Sequence, residues 1–188
     1  MAVAKLNKEG LLKASPDSIA TYGGGWFRPL DPDPELIEID AIAHALGNQC
    51  RWTGHVLKFY SVAEHAVLCS YIEPTLDCLL HDASEAYLSD LARPIKHADG
   101  LGIVYRECEE KLEAAIAVRF GLAPPPMSAA IKAADNAMLF REAEELVPHL
   151  GEMMPTPDEN TPRVQCWTPK RAKKEFLYRF KELSGTTD

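Results

Sequence analysis

Two histidines and three carboxylates in this chain occupy positions where a purely solvated role is hard to defend. The stretch Leu79 to Leu91, LLHDASEAYLSDL, sets His81 beside Asp82 at the end of an apolar run and places Glu85 one helical turn later. His65 lies between Ala63, Ala66 and Val67, and Asp135 shares a helical stripe with Ile131, Ala134 and Met138. Burying such groups costs on the order of several kcal/mol unless a cation compensates. Taken together, His65, His81, Asp82 and Asp135 make a mixed nitrogen and oxygen donor set that suits Mn²⁺, Fe²⁺, Co²⁺ or Zn²⁺. An ion of that kind makes water nucleophilic near neutral pH.

The elements that must bring these residues together are helices. Ser61 and Glu64 form a capping box for SVAEHAVLCSYIE, which carries His65. Pro74 and Thr75 open a helix over LDCLLHDASEAYL, and the short turn between the two makes them antiparallel neighbours. Asp40 caps AIAHALGNQ, which Gly47 ends; a loop covers SDLARPIKHADG; a long helix runs from about Ile103 to Phe120 and stops at Gly121. Ser128 caps a helix to about Val147, residues 148–166 are a loop, and Thr168 with Pro169 opens a terminal amphipathic helix with a basic face. Before all of these, YGGGWFRPLDPDP is irregular chain. The expectation is an all-α fold: one compact domain over 1–188, a bundle of six or seven helices, with an irregular N-terminal arm at 1–35, a helical core at 36–147, and a loop and C-terminal helix at 148–188.

Charge and composition narrow the partners. A net charge of −8 argues against a surface for long nucleic acid, and no apolar run is long enough for a membrane span. Five cysteines without a CxxC pair read as reduced thiols, with Cys69, Cys78 and Cys108 in helices, as in a cytoplasmic protein.

The segments AEH at 63–65, HDASE at 81–85 and KAADNAML around Asp135 resemble the His…His-Asp…Asp signature of the HD-domain phosphohydrolase superfamily. SDLARPIK and the Arg51-Trp52 pair ahead of His65 are similar to its nucleotide-cleaving branch, the deoxyribonucleoside 5′-monophosphatases and the small phage triphosphohydrolases that remove dATP. One departure is Ala92, where the monophosphatase loops carry Pro; the glycine-rich arm resembles phage and proteobacterial proteins of similar length instead.

The resemblance implies an HD-type bundle with His65, His81, Asp82 and Asp135 as ligands of Co, Mn, Zn or Fe. Glu85, assisted by Asp82, would handle the proton; Arg51 would hold phosphate, Trp52 would pack on deoxyribose, and Asp90 would accept from the 3′-hydroxyl. Lys96 and Arg106 would meet further phosphates, with additional Mg²⁺ on a triphosphate. The implied reaction is hydrolysis of the 5′-phosphoester of a 2′-deoxynucleotide. A dATP-type triphosphohydrolase comes first, a 5′-nucleotidase second and a non-catalytic nucleotide-binding module third. A homo-oligomer, dimer or larger, in the cytoplasm (the host's, for a phage protein) completes the expectation.

Overall fold

The computed structural model describes residues 16–125 and 127–185; the beginning of the expected arm and the final residues of the chain lie outside that range. Among the described residues the chain is mostly helical, and no helix is long and apolar enough to cross a membrane.

Helix α2 (Val62–Ile72) is the axis of the structure. Its residues from Val62 to Ser70 are all buried, because α1 (Ile39–Asn48), α3 (Leu76–Leu79), α7 (Ala129–Leu146) and α9 (Pro169–Ser184) pack around it. A helix apolar on nearly every side has nowhere else to go. Ser61 Oγ caps it, accepting from the Glu64 N–H at 3.1 Å. The second half of the expected capping box is different: the wholly buried Glu64 side chain accepts from the N–H groups of Gln165 (2.7 Å), Cys166 (2.9 Å) and Trp167 (2.6 Å). Three backbone donors with no ladder of their own recruit the carboxylate more strongly than one helix-end amide could. Glu64 thereby pins the chain that leads into α9.

The helix expected over 76–88 is broken. It becomes α3 and α4 (Glu85–Leu88), joined by a tightened turn in which Ala83 N–H bonds Leu80 O and Glu85 N–H bonds Asp82 O, each across three residues. Such tight winding inside a helical stretch is commonly a sign of a functional position. Here His81 supplies the cause. Its backbone N–H reaches Cys78 O only at 3.5 Å, while its ring Nδ1 bonds the same carbonyl at 2.7 Å. The imidazole takes over an acceptor that the regular ladder would have used.

Other boundaries shift for local reasons. Glu38, not Asp40, occupies the N-cap of α1, and Asp40 in its first turn pairs with Lys173 at 2.8 Å. Gly47 does not end that helix: a Cβ there would meet the Pro169 carbonyl oxygen at 3.0 Å, so glycine is what lets the start of α9 close onto α1. Arg93–Lys96, read as loop, is the short helix α5, with Pro94 tolerated in its first turn. Helix α6 (Leu101–Phe120) ends on Gly121 in the left-handed region, as expected. Ser128 caps α7, Pro148–Gly151 forms a short α8 inside the late loop, and Thr168 caps α9. Within the arm, β1 (Ile19–Ala20) and β2 (Trp26–Phe27) pair antiparallel, and buried Phe27 packs on Tyr87 of α4 with ring centroids 4.3 Å apart.

Replacing Glu64 with Ala leaves three N–H groups, that of buried Trp167 among them, without their acceptor. We expect a loss of about 3 kcal/mol or more. That corresponds to a Tm lower by roughly 6–12 °C for a domain of this size, read by circular dichroism; an unchanged Tm would show that the 165–167 segment finds other acceptors.

Candidate metal centre and its surroundings

His65 reaches the site from the middle of α2, His81 and Asp82 from the tightened turn, and Asp135 from the inner stripe of α7. The His65 Nε2 atom lies 3.3 Å from His81 Nε2, 3.6 Å from Asp82 Oδ2 and 3.4 Å from Asp135 Oδ1, and His81 Nε2 lies 3.3 Å from Asp82 Oδ2. Two bonds of 2.0–2.1 Å to a single ion at the tetrahedral angle span about 3.3 Å between ligand atoms. Each of these four spacings is close to the separation of two ligand atoms on one ion.

Hydrogen bonds on the far side of each ring set which nitrogen faces inward. His81 donates from Nδ1 to Cys78 O, and His65 Nδ1 lies 2.5 Å from Glu142 Oε1. With both Nδ1 positions committed as donors, both Nε2 atoms face one another and the two carboxylates. Outer hydrogen bonds of this kind orient histidine ligands in metal sites.

Glu142 was not anticipated from sequence. It is wholly buried and receives Arg51 Nε (3.2 Å), Trp52 Nε1 (3.0 Å) and Tyr60 OH (3.1 Å) besides His65. Its signal was its spacing, two turns beyond Asp135 on the same face of α7. Arg51 also bonds Asp82 Oδ2 through Nη1 at 3.3 Å, so its guanidinium joins Glu142 to the centre. Trp52 and Thr53 both adopt positive φ, 58° and 54°, a strained turn that delivers the indole N–H to Glu142.

The charges separate into two groups. Burial alone would raise Asp82, but His81, His65 and Arg51 hold it well below the usual carboxylate range. Burial likewise opposes ionisation of Asp135 and Glu142, yet His65 acting with Lys132 on the first, and Arg51 with His65 on the second, keeps both low. Burial and Arg51 push the His65 imidazolium down; Cys69, Glu142 and Asp135 outweigh them and raise it well above the usual value, so this point attracts positive charge strongly. Glu85 goes the other way: burial, then Asp82 and Asp90, raise it well above an ordinary glutamate, and its Oε2 is buried without a hydrogen-bond partner among the described residues. Asp90 is also raised by burial.

The remaining expected residues take varied places. Gln49 ties Asp90 to Glu85, accepting from the Asp90 N–H at 3.2 Å and donating to Glu85 O at 2.9 Å. Lys96 Nζ pairs with Glu109 at 2.6 Å, and Arg106 donates to the Lys96 carbonyl, where it completes the end of α5. Cys69, one turn beyond His65, is a free, buried thiol, as its place in a helix led us to expect; its Sγ lies beside the His65 ring, 3.4 Å from Nε2 and 3.9 Å from Nδ1, and His65, Cys69 and His81 form a group that could hold a metal ion.

A cavity of about 310 Å³ opens on the other side of His81, between α3, α6 and the start of α7, with Glu73, Asp77 and Glu113 among its polar lining and Leu80, Ile116 and Ile131 among its apolar walls.

No known protein-family profile matches the chain. It is 38% identical over 174 residues to the uncharacterized protein YfdR of Escherichia coli, an alignment covering 88% of this chain and 95% of that one. The chain belongs to the YfdR family. A second member of this set of relatives, an uncharacterized protein of Rhodobacter capsulatus, is 42% identical over 132 residues, or 62% of this chain and 66% of its own. Neither name carries an activity, so function has to be argued from the site.

Two measurements probe this arrangement. Glu142→Ala removes the shared acceptor of four donors, buried Tyr60 and His65 among them, and is expected to cost about 3–5 kcal/mol, seen as a lower denaturant midpoint together with an altered Trp52 emission; a midpoint like the wild type's would remove Glu142 from the centre of the network. Glu113 is pushed up to about 7 from the usual 4.5, by burial first and Glu109 second. The folded protein thus holds a proton that the unfolded chain releases, and this contribution to stability is present below the unfolded value and lost as pH rises through the folded one. Tm should therefore fall between about pH 4.5 and 7 more steeply in the wild type than in Glu113→Gln; parallel curves would exclude Glu113 as a cause.

Proposed function

We propose that the protein is a metal-dependent hydrolase of the HD-domain type that cleaves the 5′-phosphoester of a 2′-deoxynucleotide. The observation that carries the reading is the convergence of His65 Nε2, His81 Nε2, Asp82 Oδ2 and Asp135 Oδ1 within 3.3–3.6 Å of one another along the measured pairs, with both imidazoles oriented from behind. The donor set is borderline nitrogen and oxygen, which fits Co²⁺, Mn²⁺, Zn²⁺ or Fe²⁺. When bound, such an ion activates water and polarises the phosphoryl group.

The protein's own groups supply the rest. Glu85, raised well above an ordinary glutamate by burial and then by Asp82 and Asp90, holds its proton more tightly and suits the general acid that protonates the departing sugar oxygen. Arg51, fixed by Asp82 and Glu142, keeps a delocalised positive charge beside the reacting phosphate. Trp52 has its N–H taken by Glu142, which fixes the indole and supports its role as a packing surface for deoxyribose. Asp90, with its N–H held by Gln49, is the acceptor proposed for the 3′-hydroxyl.

A specific observation favours the monophosphate over the triphosphate. The two cations expected to meet extra phosphates are engaged within the protein, Lys96 by Glu109 and Arg106 by the Lys96 carbonyl. A triphosphate would need Mg²⁺ to offset its charge among Asp82, Glu85 and Asp90.

Purified protein with Co²⁺ or Mn²⁺ plus Mg²⁺ would be given dAMP, dATP, dGTP and ATP separately, and the products resolved by ion exchange. Orthophosphate from dAMP identifies a 5′-nucleotidase, and inorganic triphosphate from dATP with ATP spared identifies a triphosphohydrolase. Glu85→Gln should lower kcat by roughly 10²–10⁴-fold with metal content unchanged. No product from any substrate would sink the proposal.

A further inference from the structure

We infer that Gln49 is a positioning residue that holds Glu85 and Asp90 as one unit, so that protonation of the leaving oxygen and recognition of the 3′-hydroxyl depend on a single side chain. The inference rests on the hydrolase reading above and gives a role to a residue outside the His, His-Asp and Asp set. Gln49 occupies the C-cap of α1, and its own backbone is fixed on both sides: its N–H bonds Ala45 O at 3.1 Å, and its carbonyl accepts from the Val62 N–H at 3.1 Å. From that half-buried base the side chain reaches α4, where Nε2 donates to Glu85 O at 2.9 Å and Oε1 accepts from the Asp90 N–H at 3.2 Å. The orientation of the amide is dictated by its partners, because a carbonyl can only accept and a backbone N–H can only donate.

The two bonds act where α4 ends. The chain leaves that helix at Ser89, whose φ of 69° and ψ of 155° carry it out of the ladder. The Ser89 N–H closes on Glu85 O at 2.9 Å; a continued helix would have satisfied the next N–H, that of Asp90, with the carbonyl of Ala86, four residues back. Gln49 supplies the acceptor in its place and takes the second lone pair of Glu85 O. On its own side chain Glu85 has less to hold it, since Oε2 is buried without a partner among the described residues, so its place follows the backbone that Gln49 anchors. Asp90 is near enough to raise Glu85, which makes the spacing of the two carboxyl groups matter to the acid. Helix capping is the competing account. It covers the bond to the Asp90 N–H, but the bond to Glu85 O goes to a carbonyl that Ser89 already satisfies.

The test gives full-length protein with Co²⁺ or Mn²⁺ two pairs of substrates, dAMP and dATP, each beside its 2′,3′-dideoxy counterpart. The wild type should prefer the 3′-hydroxyl by about 10–100-fold in kcat/KM. Gln49→Met keeps the bulk and removes both hydrogen bonds. Its kcat/KM on the deoxy substrate should fall roughly 10²-fold, and the preference should shrink to within about 3-fold. A smaller folded fraction would instead lower both substrates alike and leave the preference intact. Gln49→Glu can still accept from the Asp90 N–H but cannot donate to Glu85 O, so it should lose turnover and keep the preference. Apart from any activity, NMR of the metal-free protein should show the Asp90 amide exchanging its hydrogen about 5-fold faster or more in Gln49→Met, with the His65 amide in α2 unchanged. Circular dichroism checks the fold; if Gln49→Met does not fold, Gln49→Glu decides, and turnover like the wild type's would then sink the inference. Unchanged Asp90 exchange, an intact preference in Gln49→Met, or a wild type indifferent to the 3′-hydroxyl would overturn the role of Gln49 and leave a hydrolase standing. No product from either deoxy substrate would overturn the hydrolase reading, and this role with it.

Discussion

A single buried carboxylate holds the site together. Glu142 has no exposed surface, and an ionised glutamate in that position is tolerable only because Arg51, Trp52, Tyr60 and His65 all direct donors at it. Those four come from the turn after α1, the approach to α2 and the interior of α2 itself, while Glu142 belongs to α7. The carboxylate therefore fixes the mutual placement of segments that are far apart in sequence. It also compensates the backbone strain at Trp52 and Thr53, whose positive φ angles are the cost of bringing the indole N–H into the same network. Its partners have little freedom to repack, since each would be left as a buried polar group without its mate.

From that anchor the charges of the surroundings follow. Glu142 and Cys78 O hold the two rings from behind, which leaves their inner nitrogens beside Asp82 and Asp135, and the resulting negative field is strong enough to lift His65 against both burial and Arg51. One turn farther on, burial first, then Asp82 and Asp90, raise Glu85 well above the ordinary glutamate range. Carboxylates a few residues apart thus end with their proton affinities driven apart by environment, the usual way in which acid and base roles are divided in an active site.

The parts of this arrangement that were legible in the sequence are those with an improbable placement: a histidine amid apolar helix positions, a His-Asp pair closing an apolar run, an aspartate on an apolar stripe. Glu142 escaped because REAEEL is crowded with charge, and such a stretch ordinarily reads as a solvated face; only its register with Asp135 and Met138 marks it as internal. The break between α3 and α4 left no Gly or Pro to announce it, because it is made by the His81 ring competing for the Cys78 carbonyl, a contact that propensity does not encode. Glu64 kept the form of a capping box while its carboxylate served a segment about a hundred residues away, a long-range demand that overrides the local pattern. Helix termini with strong caps, Ser128, Thr168 and Gly121, stood where expected because their hydrogen bonds are local.

The way the two halves of the site are supported also differs, and the difference suits their tasks. The side chains of the proposed metal centre are held from within the core, by α2, α7 and Glu142, where close packing leaves little room for adjustment. Glu85 and Asp90, the groups proposed to handle the proton and meet the sugar, sit on α4 and the chain after it, whose link to the core includes Gln49, bonded at once to the Glu85 carbonyl and the Asp90 N–H. One amide side chain therefore sets the position of two carboxylates together, and any movement of α4 must carry both. Ser89, between them, has a φ of 69° and gives its carbonyl to Tyr105 of α6 at 2.6 Å, a second tether that reaches the same stretch from the opposite side. The inner set is thus fixed by the packed core, and the outer set by two tethers, from Gln49 and Tyr105.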